Sequence, residues 1–339
     1  MKMLASLLLM SSLALIFVCN MGPFSRAGGV QSKLYVDNSE GEELSVVDTK
    51  SFKVLGNIKV GLKPHGLAVS PNGDRIYASV ESNNTLVAVD PATGQIVGRA
   101  AVGNTPNQIT VTADGRFVYV PLRRAAAVDI VDTRSMKAIK RVPLVEDPHN
   151  SYTSADGKHV YVTTIDGRKI FVFDPHKHEI LFEIEPGGKV RPVALTKDDS
   201  LMYVALSELH GFAVVDIKQR KTIKKVELPK LPPNTPRPYL DTYTHGLALT
   251  PDEKQLWVTS TPGGVVYAYS VPDLKLLGKV EVGKFPNWLA FTPDGKVLFV
   301  SNTESNTVTA IDVSGRKVLA TIPVGKAPKR LLVLTRLEP

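Results

Sequence analysis

Residues 74–115, DRIYASVESNNTLVAVDPATGQIVGRAAVGNTPNQITVTADG, decide the fold. Within them RIYASV, TLVAVD, QIVGRAAV and NQITVTA are short runs of β-branched or alternating apolar residues, and ESNN, PATG, GNTP and DG between them are turn chemistry. The spacing predicts a four-stranded antiparallel meander. Outward in both directions the pattern recurs. The aromatic residue of the first run reappears as Tyr35, Tyr77, Tyr119, Tyr161, Tyr203, Trp257 and Phe299, 42 residues apart except for one interval of 54. No stretch of helical length carries a 3.6-residue apolar period, so the chain reads as all-β.

Small sheets repeated seven times cannot each bury two faces alone, and a radial ring in which every sheet packs on its neighbours solves that problem. The expected fold is an all-β, seven-bladed β-propeller of four-stranded antiparallel blades, a single domain over residues 28–339. The repeat units are 33–73, 74–115, 116–157, 158–199, 200–253 with an insertion at 229–243, 254–295 and 296–339. The chain opens on a run of the RIYASV type, KLYVDN, and finishes on a run of the innermost NQITVTA type, RLLVLT. The last run should therefore pair into the blade begun by residues 33–37 and close the ring, hiding free edges. Asp48, Asp90, Asp132, Asp174, Asp216 and Asp312 end the TLVAVD-like run of their units and read as turn residues that accept N–H groups. Ser270 breaks that set.

LYVDN, VYVPL, VYVTT, MYVAL, LWVTS and LFVSN, each followed by a VVD-like run, a VG and a PDG-like turn, resemble the YVTN family of β-propeller repeats. The likeness spans residues 33–334. It implies fold and export but no single activity, because relatives include binding proteins, surface proteins and enzymes.

The first residues carry Lys2, an apolar run from Met3 to Val18, and Ser25 and Ala27 at the spacing a signal peptidase reads, so residues 1–27 are expected to be a signal peptide and the protein periplasmic or secreted. An uncleaved anchor is the alternative; no later run is long enough to span a bilayer. The sole cysteine, Cys19, would leave with the signal. Formal charge is +8, from 41 basic and 33 acidic residues, and losing Lys2 and Arg26 leaves +6. That is too mild to name a partner.

The aromatic stride serves as a ruler. Stepped to the innermost runs it selects His65, Asn107, His149, Arg191, His245, Asn287 and Lys329, one polar residue per blade. Three imidazoles in alternate blades suit a transition metal such as Cu, Zn or Fe, with His210 a candidate fourth ligand. The alternative is a solvated polar rim. Arg191 and Lys329, with Arg330 and Arg123, suggest a small anionic ligand held by forked guanidinium contacts. The insertion, PKLPPNTPRPYLDTY, immediately precedes His245 and is stiffened by five prolines. It is a candidate lid bearing Tyr239, Asp241 and Tyr243.

No G-x-S-x-G elbow, phosphate-cradling loop, C-x-x-C pair, H-E-x-x-H helix or EF-hand loop occurs. Nucleic-acid binding is disfavoured, since the aromatics sit at repeat positions that read as core. The leading expectation is an exported propeller that holds a small anionic ligand, with or without a metal, at its channel mouth. The alternatives are a channel-mouth enzyme, resembling propeller lactonases, lyases or copper oxidoreductases, and a scaffold that binds protein partners through its variable loops.

Overall fold

The computed structural model describes residues 30–144, 147–236, 238 and 240–337. The expected signal segment 1–27 and Tyr239 lie outside them. Among the described residues the strands form seven four-stranded antiparallel sheets, and no helix is long and apolar enough to cross a membrane.

Blade 1 runs from Pro64–Val69 on the inside through Ile76–Val80 and Thr85–Val89 to Ile96–Ala101 on the rim. Blades 2 to 6 repeat it, with innermost strands Thr110–Val111, Pro148–Thr153, Val190–Leu195, Leu247–Leu249 and Pro286–Phe291. Blade 7 is assembled from both ends of the chain. Its innermost strand Pro328–Leu337 pairs with Val30–Asn38, which continues to Glu43–Asp48 and Val54–Lys59. The predicted ring closure is thus formed, and Leu34 faces Val333 in its register. The repeat units and the blades differ by one strand: NQITVTA, the last run of the template, is the innermost strand of the following blade.

Alternation of apolar residues on two faces puts the middle strands between neighbouring blades. All of Ile76–Val80 is buried, while the rim strand Lys137–Pro143 is almost wholly exposed. The seven ruler aromatics are core, none more than 3% exposed. One cluster joins Tyr35 and Leu44 of blade 7 to Leu67, Ile76 and Val87 of blade 1, so each sheet buries its faces against the next.

The turn aspartates act as expected. Asp48 Oδ1 accepts Ser51 N–H at 2.6 Å, and Asp90, Asp132, Asp174, Asp216 and Asp312 repeat the contact in their own turns. His178 is drawn into its blade, since its Nδ1 lies 2.8 Å from the Tyr119 hydroxyl.

Candidate active site at the channel mouth

Four of the innermost strands enter their sheets through a bulge, with register shifts at Pro64/Gly66, Pro148/Asn150, Val190/Val193 and Pro286/Leu289. A bulge frees backbone N–H groups and re-aims side chains. The freed groups are met by the third residue of the neighbouring strand's Tyr-Val-Thr-like run. Thr259 Oγ1 accepts the N–H groups of His245 and Gly246, Ser301 Oγ accepts that of Trp288, and Thr163 Oγ1 that of Asn150. Blade 7 places Asp37 there, and its Oδ1 accepts both Lys329 N–H at 3.1 Å and Arg330 N–H at 2.7 Å.

The ruler residues therefore share one level of the channel. Asn107 and Asn287 are fully buried, and His65, His149, Arg191 and His245 are all less than a tenth exposed. Blades approach closely here. A Cβ on Gly66 would lie 2.3 Å from the Asn107 carbonyl oxygen, and one on Gly246 would lie 2.5 Å from that of Asn287.

His65 Nδ1 lies 2.8 Å from Glu81 Oε1. Burial, and then Lys329, push the His65 pKa down to about 4 against the pull of Glu81. Burial acts against Glu81, yet His65, Lys329 and Arg123 hold its carboxyl down at about 2. At neutral pH the pair is a carboxylate accepting Nδ1–H from a neutral imidazole, which leaves Nε2 with its lone pair. His245 Nδ1 is 3.0 Å from the Asn287 carbonyl, so it too donates from Nδ1. Burial with the Arg330 and Arg191 charges lowers the pKa of His245 well below the usual value, and burial with Arg191 and Arg330 does the same to His149. The His149 and His245 rings meet edge to face at 6.5 Å.

The three-imidazole metal centre expected from the spacing is not assembled. Among the described residues no group of three or more His, Cys, Asp or Glu side chains is placed to hold a metal ion. The 42-residue stride fixes height on the strand, not direction: His65 turns to Glu81, His245 turns to the next blade, and a guanidinium shares their level of the channel. His210 is no fourth ligand, since its Nε2 is 2.8 Å from Ser260 Oγ and its ring packs on Tyr243 at 6.5 Å.

That guanidinium belongs to Arg330. Its Nη1 donates to Asn287 Oδ1 at 3.3 Å, and its Nη2 to Asn150 Oδ1 at 3.2 Å and Asn107 Oδ1 at 3.5 Å. A side chain from blade 7 that reaches blades 2, 3 and 6 crosses the axis. Its head also lies 4.3 Å over the Trp288 ring. Lys329, which the stride selects, is only partly buried, and Arg330 takes the axial place.

Arg191 Nε donates to Ser207 Oγ at 2.7 Å and its Nη2 to the Leu240 carbonyl at 3.0 Å. Burial, then Arg123 and Arg330, lower its pKa to about 10. Tyr243 N–H donates to the Ser207 carbonyl, and Thr261 N–H to that of Tyr243. The end of the insertion is thereby stitched over the mouth between blades 4 and 5, where a lid was expected. Arg123 stays exposed on the rim.

Sequence reasoning missed Glu81, Asp37, Asn150 and Trp288. Asp37 was findable, because the same register elsewhere holds Ser79, Pro121, Thr163, Ala205, Thr259 and Ser301, none of them charged. Glu81 lies sixteen residues after His65, as Ser207 lies sixteen after Arg191. That offset became meaningful only with the pairing in view.

Residues 37–321 match the family model described as "Lactonase, 7-bladed beta-propeller". The YVTN likeness rests on the repeat motifs alone. Among solved structures, the periplasmic gluconolactonase of Pseudomonas aeruginosa is 18% identical, with a TM-score of 0.71 over 90% of this chain and 99% of that one. Hydrazine synthase of Kuenenia stuttgartiensis is 21% identical, with a TM-score of 0.73 over 83% of this chain and 92% of that one. A Desulfotomaculum acetoxidans protein of unknown function gives 13%, 0.76, 89% and 98%. Likeness at these identities shows the fold. No curated protein matches.

Proposed function

The chain belongs to the lactonase family of seven-bladed β-propellers, and we propose that it is an exported hydrolase that opens a small, anionic or polyhydroxylated lactone at the channel mouth. The observation that carries this reading is the His65–Glu81 pair beside cationic Lys329, with Arg123 also acting on the Glu81 carboxylate. Export is supported by the N-terminal apolar run and by the small residues that follow it.

In this reading the lactone carbonyl faces the cations. A water molecule is polarised by His65 Nε2, which takes its proton as the water oxygen adds to the carbonyl carbon. Glu81 holds the imidazole in the tautomer that leaves Nε2 free and offsets the charge it gains. Negative charge developing on the carbonyl oxygen is met by Lys329, in surroundings where water is scarce and such contacts are strong. The ring C–O bond then breaks, the leaving alkoxide takes the proton back from His65, and the product is a hydroxy acid. Its carboxylate loses a proton to solvent above its own pKa. Stitched across Arg191, the insertion limits the size of what enters.

Hydrolysis of glucono-δ-lactone and of its 6-phosphorylated form, followed by acid release at constant pH, tests the proposal. Saturable acceleration over the spontaneous rate is expected, with loss in His65→Asn and Glu81→Gln. Saturable binding of lactone or sugar acid without acceleration would replace the hydrolase by a binding protein for the same anions.

A further inference from the structure

Arg330 is 1% exposed, yet all three hydrogen bonds of its guanidinium run to neutral carboxamide oxygens. At 3.2 to 3.5 Å they are longer than the usual charge-assisted bond. Its Nε has no partner among the described residues, and neither do the Nδ2 groups of Asn107, Asn150 and Asn287. Each of these carboxamides turns its oxygen to the guanidinium, which holds its own NH2 group a bond angle away. Buried donors are thus clustered around a buried cation, and burying a cation without a close counter-charge is costly. Asp37 offsets part of that charge, but its Oδ1 is occupied by the backbone N–H groups of Lys329 and Arg330 while its Oδ2 has no partner. Trp288 covers one face of the guanidinium. What this arrangement lacks is one small acceptor of charge −1, bound edge-on.

We propose that the channel axis seats a monovalent halide, chloride in ordinary media, against Arg330 Nε and the amide groups of Asn107 and Asn287. A halide accepts from several donors without directional demand and needs no proton of its own. It completes the packing of the seven inner strands on the axis. The assignment does not rest on the hydrolase reading.

The whole mature chain is dialysed into methanesulfonate, and its melting temperature is followed as chloride replaces methanesulfonate at constant ionic strength. A saturable rise is expected. Crystals grown with bromide should show an anomalous peak in contact with Arg330. Iodide should quench the Trp288 part of the fluorescence with a saturable component that Arg330→Gln abolishes. Should that variant fail to fold, Asn107→Asp supplies an internal carboxylate to Arg330 and should remove the chloride dependence while keeping the fold. Melting curves identical in the two salts, or water alone at the bromide position, would overturn the assignment.

Discussion

His65 Nδ1 and Glu81 Oε1 are 2.8 Å apart, which commits the imidazole to a tautomer whose Nε2 carries a lone pair. A carboxylate that both orients an imidazole and offsets its charge contributes through that imidazole. His65→Asn should lower lactone hydrolysis by about 10² to 10⁴, the range for loss of a positioned general base. Glu81→Gln, which keeps a side chain of the same shape but removes the charge, should cost roughly 10² or more in kcat with KM little changed. Initial rates with the circular dichroism spectrum as control read both. Unchanged rates in both variants would remove the pair from the reaction.

Activity should persist well below the pH at which an ordinary histidine base fails. His65 has its pKa pushed down to about 4 by burial and Lys329, and only its neutral form accepts a proton. The acid limb of kcat/KM for a chemically stable lactone should therefore fall below pH 5.5. A limb at the ordinary value near 6.5 would contradict the buried placement of the ring.

Stability should behave in the opposite way and erode in that same acid range. The folded pKa values of His65, His149 and His245 lie below the value of 6.5 for a free side chain. The unfolded chain therefore binds three protons that the folded chain refuses as pH falls from 6.5 toward 4, and stability drops. His178 and His210 shift in the same direction. Asp37 opposes them: burial raises its pKa to about 7 from 3.8, so between those values the folded chain holds a proton that the unfolded chain lacks. Three protons against one give a slope of about 3 kcal/mol per pH unit at its steepest. Asp37→Asn, which can still accept the N–H groups of Lys329 and Arg330, should steepen it to about 4 kcal/mol per pH unit. Urea unfolding at a series of pH values measures both slopes.

The sequence made the ring legible because the repeat imposes one requirement seven times. Tyr35 and Trp257 lie 222 residues apart and fill equivalent positions between blades. The site was only half legible, for two physical reasons. A fixed stride gives the level of a side chain on its strand, whereas a bulge decides its direction, so the three histidines share a level without sharing a centre. In addition, the partners that set their chemistry come from other registers. Glu81 stands in a variable loop, Arg330 one residue beyond the ruler position, and Asn150 one beyond His149. Asp37 was the exception, a carboxylate where other blades carry hydroxyl or apolar residues, and it marks the blade where the chain closes on itself.

Arg191 links the mouth to the insertion through Ser207 Oγ and the Leu240 carbonyl. A charged hydrogen bond contributes about 1.5–3 kcal/mol, a factor of roughly 10 to 100 in an equilibrium. Arg191→Ala should raise tryptic cleavage after exposed Lys230 by about that factor, because the insertion loses its tether. It should also raise KM for a phosphorylated lactone more than for the uncharged one. Equal effects on the two substrates would assign Arg191 to holding the insertion alone.

Gly66 tests the close packing of the blades on which the whole mouth depends. A Cβ there would meet the Asn107 carbonyl oxygen at 2.3 Å, Ser79 Oγ at 2.8 Å and the Gln108 Cα at 2.9 Å. The carbonyl and Cα belong to the adjoining blade, and the Ser79 hydroxyl is already bonded to that carbonyl at 2.8 Å, so nothing flexible can give way. Relief would require blades 1 and 2 to part at the axis, which separates Asn107 from Arg330. Gly66→Ala should therefore cost about 3 kcal/mol, at the upper end for overpacking, and weaken halide and substrate binding together. Gly56 sits in the rim strand Val54–Lys59 with nothing within 4 Å of the added carbon. There Gly56→Ala should be neutral or stabilising by up to about 1 kcal/mol, because alanine restricts the unfolded chain. Denaturant midpoints of the two variants make the comparison, and equal effects would mean that the inner strands are not packed as closely as Gly66 and Asn107 are here.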